Sequence, residues 1–112
     1  MLLIEVGYKD ERICNLHISN HASPKNSKDT NYKLVCAGVS SITIGMCNAI
    51  DLMCKDSCSI DINYSHDYLN HVKVSVANNS EKLQTILNTA LIQLKTIDES
   101  YKGYIKIENM EV

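Results

Sequence analysis

Between Met1 and Tyr8 the apolar side chains Leu2, Ile4, Val6 and Tyr8 fall on every second position, the period of a strand with one buried face. The polar step Lys9-Asp10-Glu11 breaks the run and predicts a hairpin. On the returning strand Cys14, Leu16 and Ile18 share one face, while Asn15, His17, Ser19 and His21 share the other. That strand, ending near Asn20, presents His21 at its tip. From Ala22 to Tyr32 apolar side chains nearly vanish and the only proline appears, which predicts a long, mobile loop. A helical period then takes over at Val35, Val39, Ile42, Met46, Ala49, Ile50 and Met53. Thr30 or Asn31 is its expected N-cap, and Gly38 and Gly45 are expected points of close packing. Alternation returns at Cys58, Ile60, Ile62 and Tyr64, then at Val72, Val74 and Val76, with Ser65 to Asn70 as the turn. Ser80 opens a second helix carrying Leu83, Ile86, Leu87, Ala90, Leu91, Leu94 and Ile97, and Gly103, Ile105 and Ile107 suggest a last strand. The order ββαββαβ, with more hairpins than crossovers, predicts an α+β fold: a mixed, mainly antiparallel sheet packed with two α-helices.

Composition narrows the function. A chain of 112 residues fits a single domain spanning residues 1–112. Eleven basic residues against thirteen acidic ones leave a net charge of −2, which argues against direct nucleic-acid binding. The apolar runs are short and interrupted, so neither a membrane span nor a signal peptide is expected. Five cysteines, an odd number with no Cys-x-x-Cys pair, suggest thiols in a reducing, cytoplasmic setting. A zinc site drawn from Cys47, Cys54 and Cys58 with His66 or His71 lacks paired ligand spacing, so core thiols are the better reading and no metal or cofactor is expected. His17 shares a strand face with His21 but has no evident role of its own.

One constellation remains. His21 at a strand tip is followed by a polar loop and then by Cys36 near the start of a helix. Helix N-termini favour anions, so a cysteine there can hold more thiolate, and a neighbouring histidine can move its proton. The words Ile18-Ser19-Asn20-His21-Ala22 and Leu34-Val35-Cys36-Ala37-Gly38-Val39-Ser40 resemble the ribosomal-processing cysteine protease family, Prp. That family carries Gly-His-Ala, a variable loop, and Asp-x-Val-Cys-Ala-(Ala/Gly)-Val-Ser. Tyr101 with Tyr104-Ile105-Lys106-Ile107 is similar to its C-terminal signature. Two positions depart from the pattern: Asn20 replaces the glycine and Lys33 the aspartate. Asn is the residue best able to replace glycine in left-handed backbone.

The resemblance implies a cysteine endopeptidase that removes a short N-terminal extension from a large-subunit ribosomal protein, the one whose tail reaches toward the peptidyl-transferase centre. It implies Cys36 as nucleophile and His21 as general base and then acid, with Ser40, Lys33 and Asn20 as possible support. Backbone N–H groups at the start of the Cys36 helix would meet the oxyanion, and the loop Ala22–Tyr32 would close as a lid. A homodimer and the ribosomal precursor are the implied partners. A second class stays open: a non-catalytic, ribosome-associated interaction domain, for which Lys33 and Asn20 are the arguments.

Overall fold

In the computed structural model, which describes residues 1–65 and 68–112, the chain runs β1 (Leu2–Lys9), β2 (Arg12–Ser19), α1 (Asn31–Met53), β3 (Cys58–Ser65), β4 (Tyr68–Val76), α2 (Glu81–Ser100) and β5 (Ile105–Glu111). The five strands form one sheet in the order β3-β4-β2-β1-β5. The pairs β1–β2, β2–β4 and β3–β4 are antiparallel and only β1–β5 is parallel. This is the expected α+β architecture, and it makes β2 the central strand.

The register stacks the apolar residues into rows across neighbouring strands. Ile4 faces Ile18, and Ile18 faces Val72; Val6 faces Leu16, and Leu16 faces Val74. All of these are buried, and the stripes of α1 and α2 join the same cluster. Both helices therefore cover one face of the sheet. The other face is polar, with Glu5, His17, Lys73 and Asp61 in line across four strands. There His17 pairs with Glu5 at 3.4 Å, and His71 with Asp61 at 3.3 Å. Leu16 is fully enclosed, and truncating such a leucine to alanine costs about 2–5 kcal/mol.

Local chemistry departs from the simple period in three places. Asp10 and Glu11 take φ of 53° and 65°, the left-handed pair that joins Lys9 to Arg12 in a two-residue hairpin. Just beyond it, Gly7 pairs with Asn15 but Tyr8 pairs with Ile13, so Cys14 is an extra residue in the ladder. The bulge reverses the parity: Ile13, not Cys14, joins Leu16 and Ile18 in the core. Gln84 of α2 ties this region down, its amide accepting from the Ile13 N–H at 3.0 Å and donating to the Ile13 carbonyl at 2.7 Å. The third departure is at the second hairpin, where β4 already begins at Tyr68, so most of the expected Ser65–Asn70 turn is strand. The tip of that turn, including His66, lies outside the described residues.

The buried stripe of α1 comprises Val35, Val39, Thr43, Met46, Cys47 and Ile50. Thr43 enters this apolar stripe because its hydroxyl donates to the Val39 carbonyl at 2.7 Å. Met53 is left exposed. Contrary to the expectation of short apolar runs, α1 is by length and hydropathy sufficient to cross a membrane, since its glycines and serines do not interrupt the helix. Its buried stripe joins the core cluster with the sheet. In α2 the Ser80 hydroxyl accepts from the Leu83 N–H at 3.1 Å, the expected cap.

The two helical glycines differ. A Cβ on Gly38 would lie 2.9 Å from Ile97 Cδ1, whereas one on Gly45 would meet nothing within 4 Å. Close α1–α2 approach thus explains Gly38 but not Gly45, which borders an open groove between the helices. Gly45→Ala is expected to stabilise the fold by about 0.5–1 kcal/mol through helix propensity. That corresponds to a rise in Tm of roughly 2–5 °C in a circular-dichroism melt. Gly38→Ala should show no such gain, because Ile97 must yield to it. An equal rise in both variants would refute the packing argument.

Candidate active site

β2 stops at Ser19, and Asn20 turns the chain with φ 65°. The residue standing in place of the family glycine thus adopts the conformation that glycine would favour. His21 follows on the exposed rim, and Ala22 is pulled into the core at 5% exposure. The half-buried Cys36 comes from α1, and its Sγ–H donates to the Ala22 carbonyl at 3.7 Å. A thiol is therefore held against the residue next to the histidine. His21 and Cys36 both line a cleft of about 700 Å³, whose other walls include Ala22, Tyr32, Ala37 and Leu69. Lys33 and Ser40 line it too, so four of the five singled-out residues meet in one cavity. Asn20 borders the small hollow beneath, again with His21, Cys36 and Ser40.

One expectation, the cap, changes at the start of α1. The helix begins at Asn31, so Cys36 is its sixth residue, in the second turn. In the i→i−4 ladder its N–H is committed to the Tyr32 carbonyl, and it cannot serve as an oxyanion donor. Nor does either expected cap operate, because Thr30 occupies the N-cap position without a side-chain bond. Asp29 caps the helix instead, with Oδ1 accepting from the Asn31 N–H at 2.9 Å. Lys33 extends along the rim with Nζ 5.9 Å from the centre of the Tyr32 ring.

Sequence reasoning missed the contribution of the second hairpin. Asn63 pairs with His71 and Tyr64 with Leu69, which leaves Asn70 as an unmatched residue of β4. The bulge brings Asn70 to His21, with Asn70 Oδ1 3.4 Å from the imidazole Nε2, and Leu69 to the cleft wall. Only the strand alternation of Tyr68 and Asn70 with Val72 hinted that β4 extended this far. The remaining cysteines lie elsewhere. Burial pushes the Cys47 thiol up, with Cys58 adding to the effect, and burial likewise raises Cys58. Such thiols stay protonated as parts of the core. Among the described residues no three His, Cys, Asp or Glu side chains converge as metal ligands.

The cleft can be set beside known proteins. The family model for cysteine protease Prp matches residues 1–106. The chain belongs to the Prp family of cysteine proteases. The ribosomal processing cysteine protease Prp of Staphylococcus aureus is 31% identical over 109 residues, covering 96% of this chain and 97% of the relative. A crystal structure of the S. aureus protease with a covalently linked product peptide has a TM-score of 0.75 at 30% identity, covering 97% of this chain and 99% of that one. Its complex with a substrate peptide has a TM-score of 0.76 at 27% identity, with the same coverage. The present chain is accordingly a cysteine protease, and the reading as a non-catalytic interaction domain gives way.

In this protease the segment between His21 and α1 is not the untethered loop that its composition suggested. Asp29 Oδ2 accepts from the Tyr104 hydroxyl at 2.6 Å and from the Lys25 N–H at 2.9 Å. The Lys25 ammonium donates to the Lys102 carbonyl and lies 4.4 Å from the centre of the Tyr104 ring. Gly103, with φ 92°, leaves room for it: a Cβ there would be 2.8 Å from Lys25 Nζ. The loop is thus strapped by polar bonds to the α2–β5 corner, a tie invisible to a search for apolar contacts.

The Tyr104 hydroxyl bond, followed by the Lys25 N–H, holds the Asp29 carboxyl below the usual range. The same bond, with desolvation and the Asp29 charge, pushes Tyr104 up to about 12. The stabilisation tied to Asp29 is present above its ordinary titration range and is lost as pH falls through the lowered value. That tied to Tyr104 is complete below the ordinary value of 10.0 and is lost as pH rises through about 12. Tyr104→Phe should therefore melt below the parent protein near neutral pH, with the gap narrowing as pH rises from 10 to 12. Trypsin should also cut faster after Lys25 and Lys28 in the variant. Unchanged cutting and a pH-independent gap would show that the strap does not hold the loop.

Proposed function

We propose that this protease removes an N-terminal extension from the large-subunit ribosomal protein whose tail reaches toward the peptidyl-transferase centre, using a Cys36–His21 dyad. The observation carrying this reading is the meeting of both residues in one cleft, with the Cys36 thiol seated on the Ala22 carbonyl beside His21. His21 takes the thiol proton as Cys36 Sγ attacks the scissile carbonyl carbon. The tetrahedral intermediate collapses by breaking the C–N bond, and His21 returns the proton to the leaving amine. Water, deprotonated by His21, then hydrolyses the thioester and restores the thiol. The covalently linked product peptide of the S. aureus relative supports such a covalent route. Tyr32, Leu69, Ala22 and Ala37 offer apolar walls to the substrate peptide. In this reading the protease works in the cytoplasm as a homodimer; its five free cysteines support the reducing setting.

Cys36→Ser should leave the precursor uncut in a mass-spectrometric assay while the Tm stays within a few degrees of the parent. His21→Ala should remain folded, cleave about 10²–10⁴-fold more slowly, and alkylate at Cys36 more slowly near neutral pH. Shortened product from the Cys36→Ser protein, or equal alkylation with and without His21, would overturn the dyad.

A further inference from the structure

Asn70, which borders the small hollow beneath the cleft together with His21 and Cys36, has no role in the dyad itself. Asn70 Oδ1 lies 3.4 Å from His21 Nε2, and Asn70 Nδ2 donates to Asn63 Oδ1 at 3.1 Å. As the two amides are placed, Asn70 turns its nitrogen to Asn63 and its oxygen to His21. An amide oxygen can only accept. Nε2 must then carry the proton, which leaves the lone pair on Nδ1. Asn70 reaches this position because it is the unmatched residue of the β3–β4 ladder, the kind of bulge that re-aims a side chain.

We infer that Asn70, braced by Asn63, is a positioning residue for His21: it favours the Nε2–H tautomer and holds the ring so that Nδ1 exchanges the proton with Cys36. The inference rests on the dyad proposed above. Neither asparagine touches the reacting atoms; they act through the imidazole, as the third group orients the base in a nucleophile–base pair. An acceptor is all that His21 requires of position 70, and its charge is secondary. The imidazolium formed when the thiol proton is taken keeps its Nε2–H on Asn70, so the ring need not turn between its two proton transfers.

The test compares Asn70→Ala, Asn70→Asp and Asn63→Ala by peptide cleavage and by nitrogen NMR of the His21 ring. The peptide spans the precursor's extension and its junction. Asn70→Ala should lower kcat roughly tenfold or more with KM nearly unchanged, and neutral His21 should lose its Nε2–H preference. Asn70→Asp keeps an acceptor and should retain kcat within about threefold. Because a carboxylate favours the imidazolium, it should also move the acid limb of the kcat/KM profile to higher pH. If Asn70→Ala fails to fold, the exposed Asn63→Ala carries the test, with a smaller fall in kcat and a partial change of tautomer expected. Parental kcat and parental ring signals in Asn70→Ala, or in Asn63→Ala where that carries the test, would overturn the inference, as would Asn70→Asp as inactive as Asn70→Ala. A parent protein that fails to cut the peptide would instead sink the proposed substrate, and the ring signals would still decide the role of Asn70.

Discussion

Burial of a single sheet face beneath α1 and α2 is the constraint from which the cleft follows. The rows Ile4–Ile18–Val72 and Val6–Leu16–Val74 need an apolar cover, and the stripes of the two helices supply it. A slip of one residue in β2 would send its buried set to the polar face, so the register has little freedom. With β2 held between β1 and β4, its exit at Asn20 is fixed relative to α1 above it. His21 and Cys36 come from different elements, yet neither can shift far without opening the core. The core beside the site sets where its two residues leave the fold.

The polar bonds around the cleft have a different role. Burial sets where the strands and helices lie but leaves the connecting segment 20–30 undetermined. Asp29 resolves that by accepting three hydrogen bonds: from Tyr104, from Lys25 and from the first helical N–H. One carboxylate thus starts α1, shapes the loop and ties both to the last strand's approach. The position where the family has an aspartate is Lys33 here, and it lies on the cleft wall. A carboxylate is present in this region all the same, at Asp29, where it is engaged with Tyr104 and the loop backbone.

Bulges explain why the periodic pattern was an incomplete guide. Each adds one residue to one strand, and each reverses the parity of the positions beyond it. At Cys14 this placed Ile13 in the core and left a cysteine half-buried against the Gly7 carbonyl, 3.3 Å away. At Asn70 it turned a residue assigned to a loop into a neighbour of the histidine. Neither event leaves a mark in the alternation of apolar side chains, because a ladder defect belongs to a pair of strands and not to one.

The sequence by itself determined what depends on local period and local chemistry. That covers the order ββαββαβ, the cap at Ser80, the left-handed tolerance of Asn20, and the words around His21 and Cys36 that mark the family. Residues near in the chain settle such features, so one strand's pattern suffices to read them. Only the tertiary structure decided that both helices share a face, that Cys36 sits a full turn into α1, and that Asp29 bonds Tyr104 across 75 positions of chain. It also brought Asn70 to His21 across 49 positions. Contacts of that span arise from strand register and packing, which involve several segments at once, and no single segment encodes them.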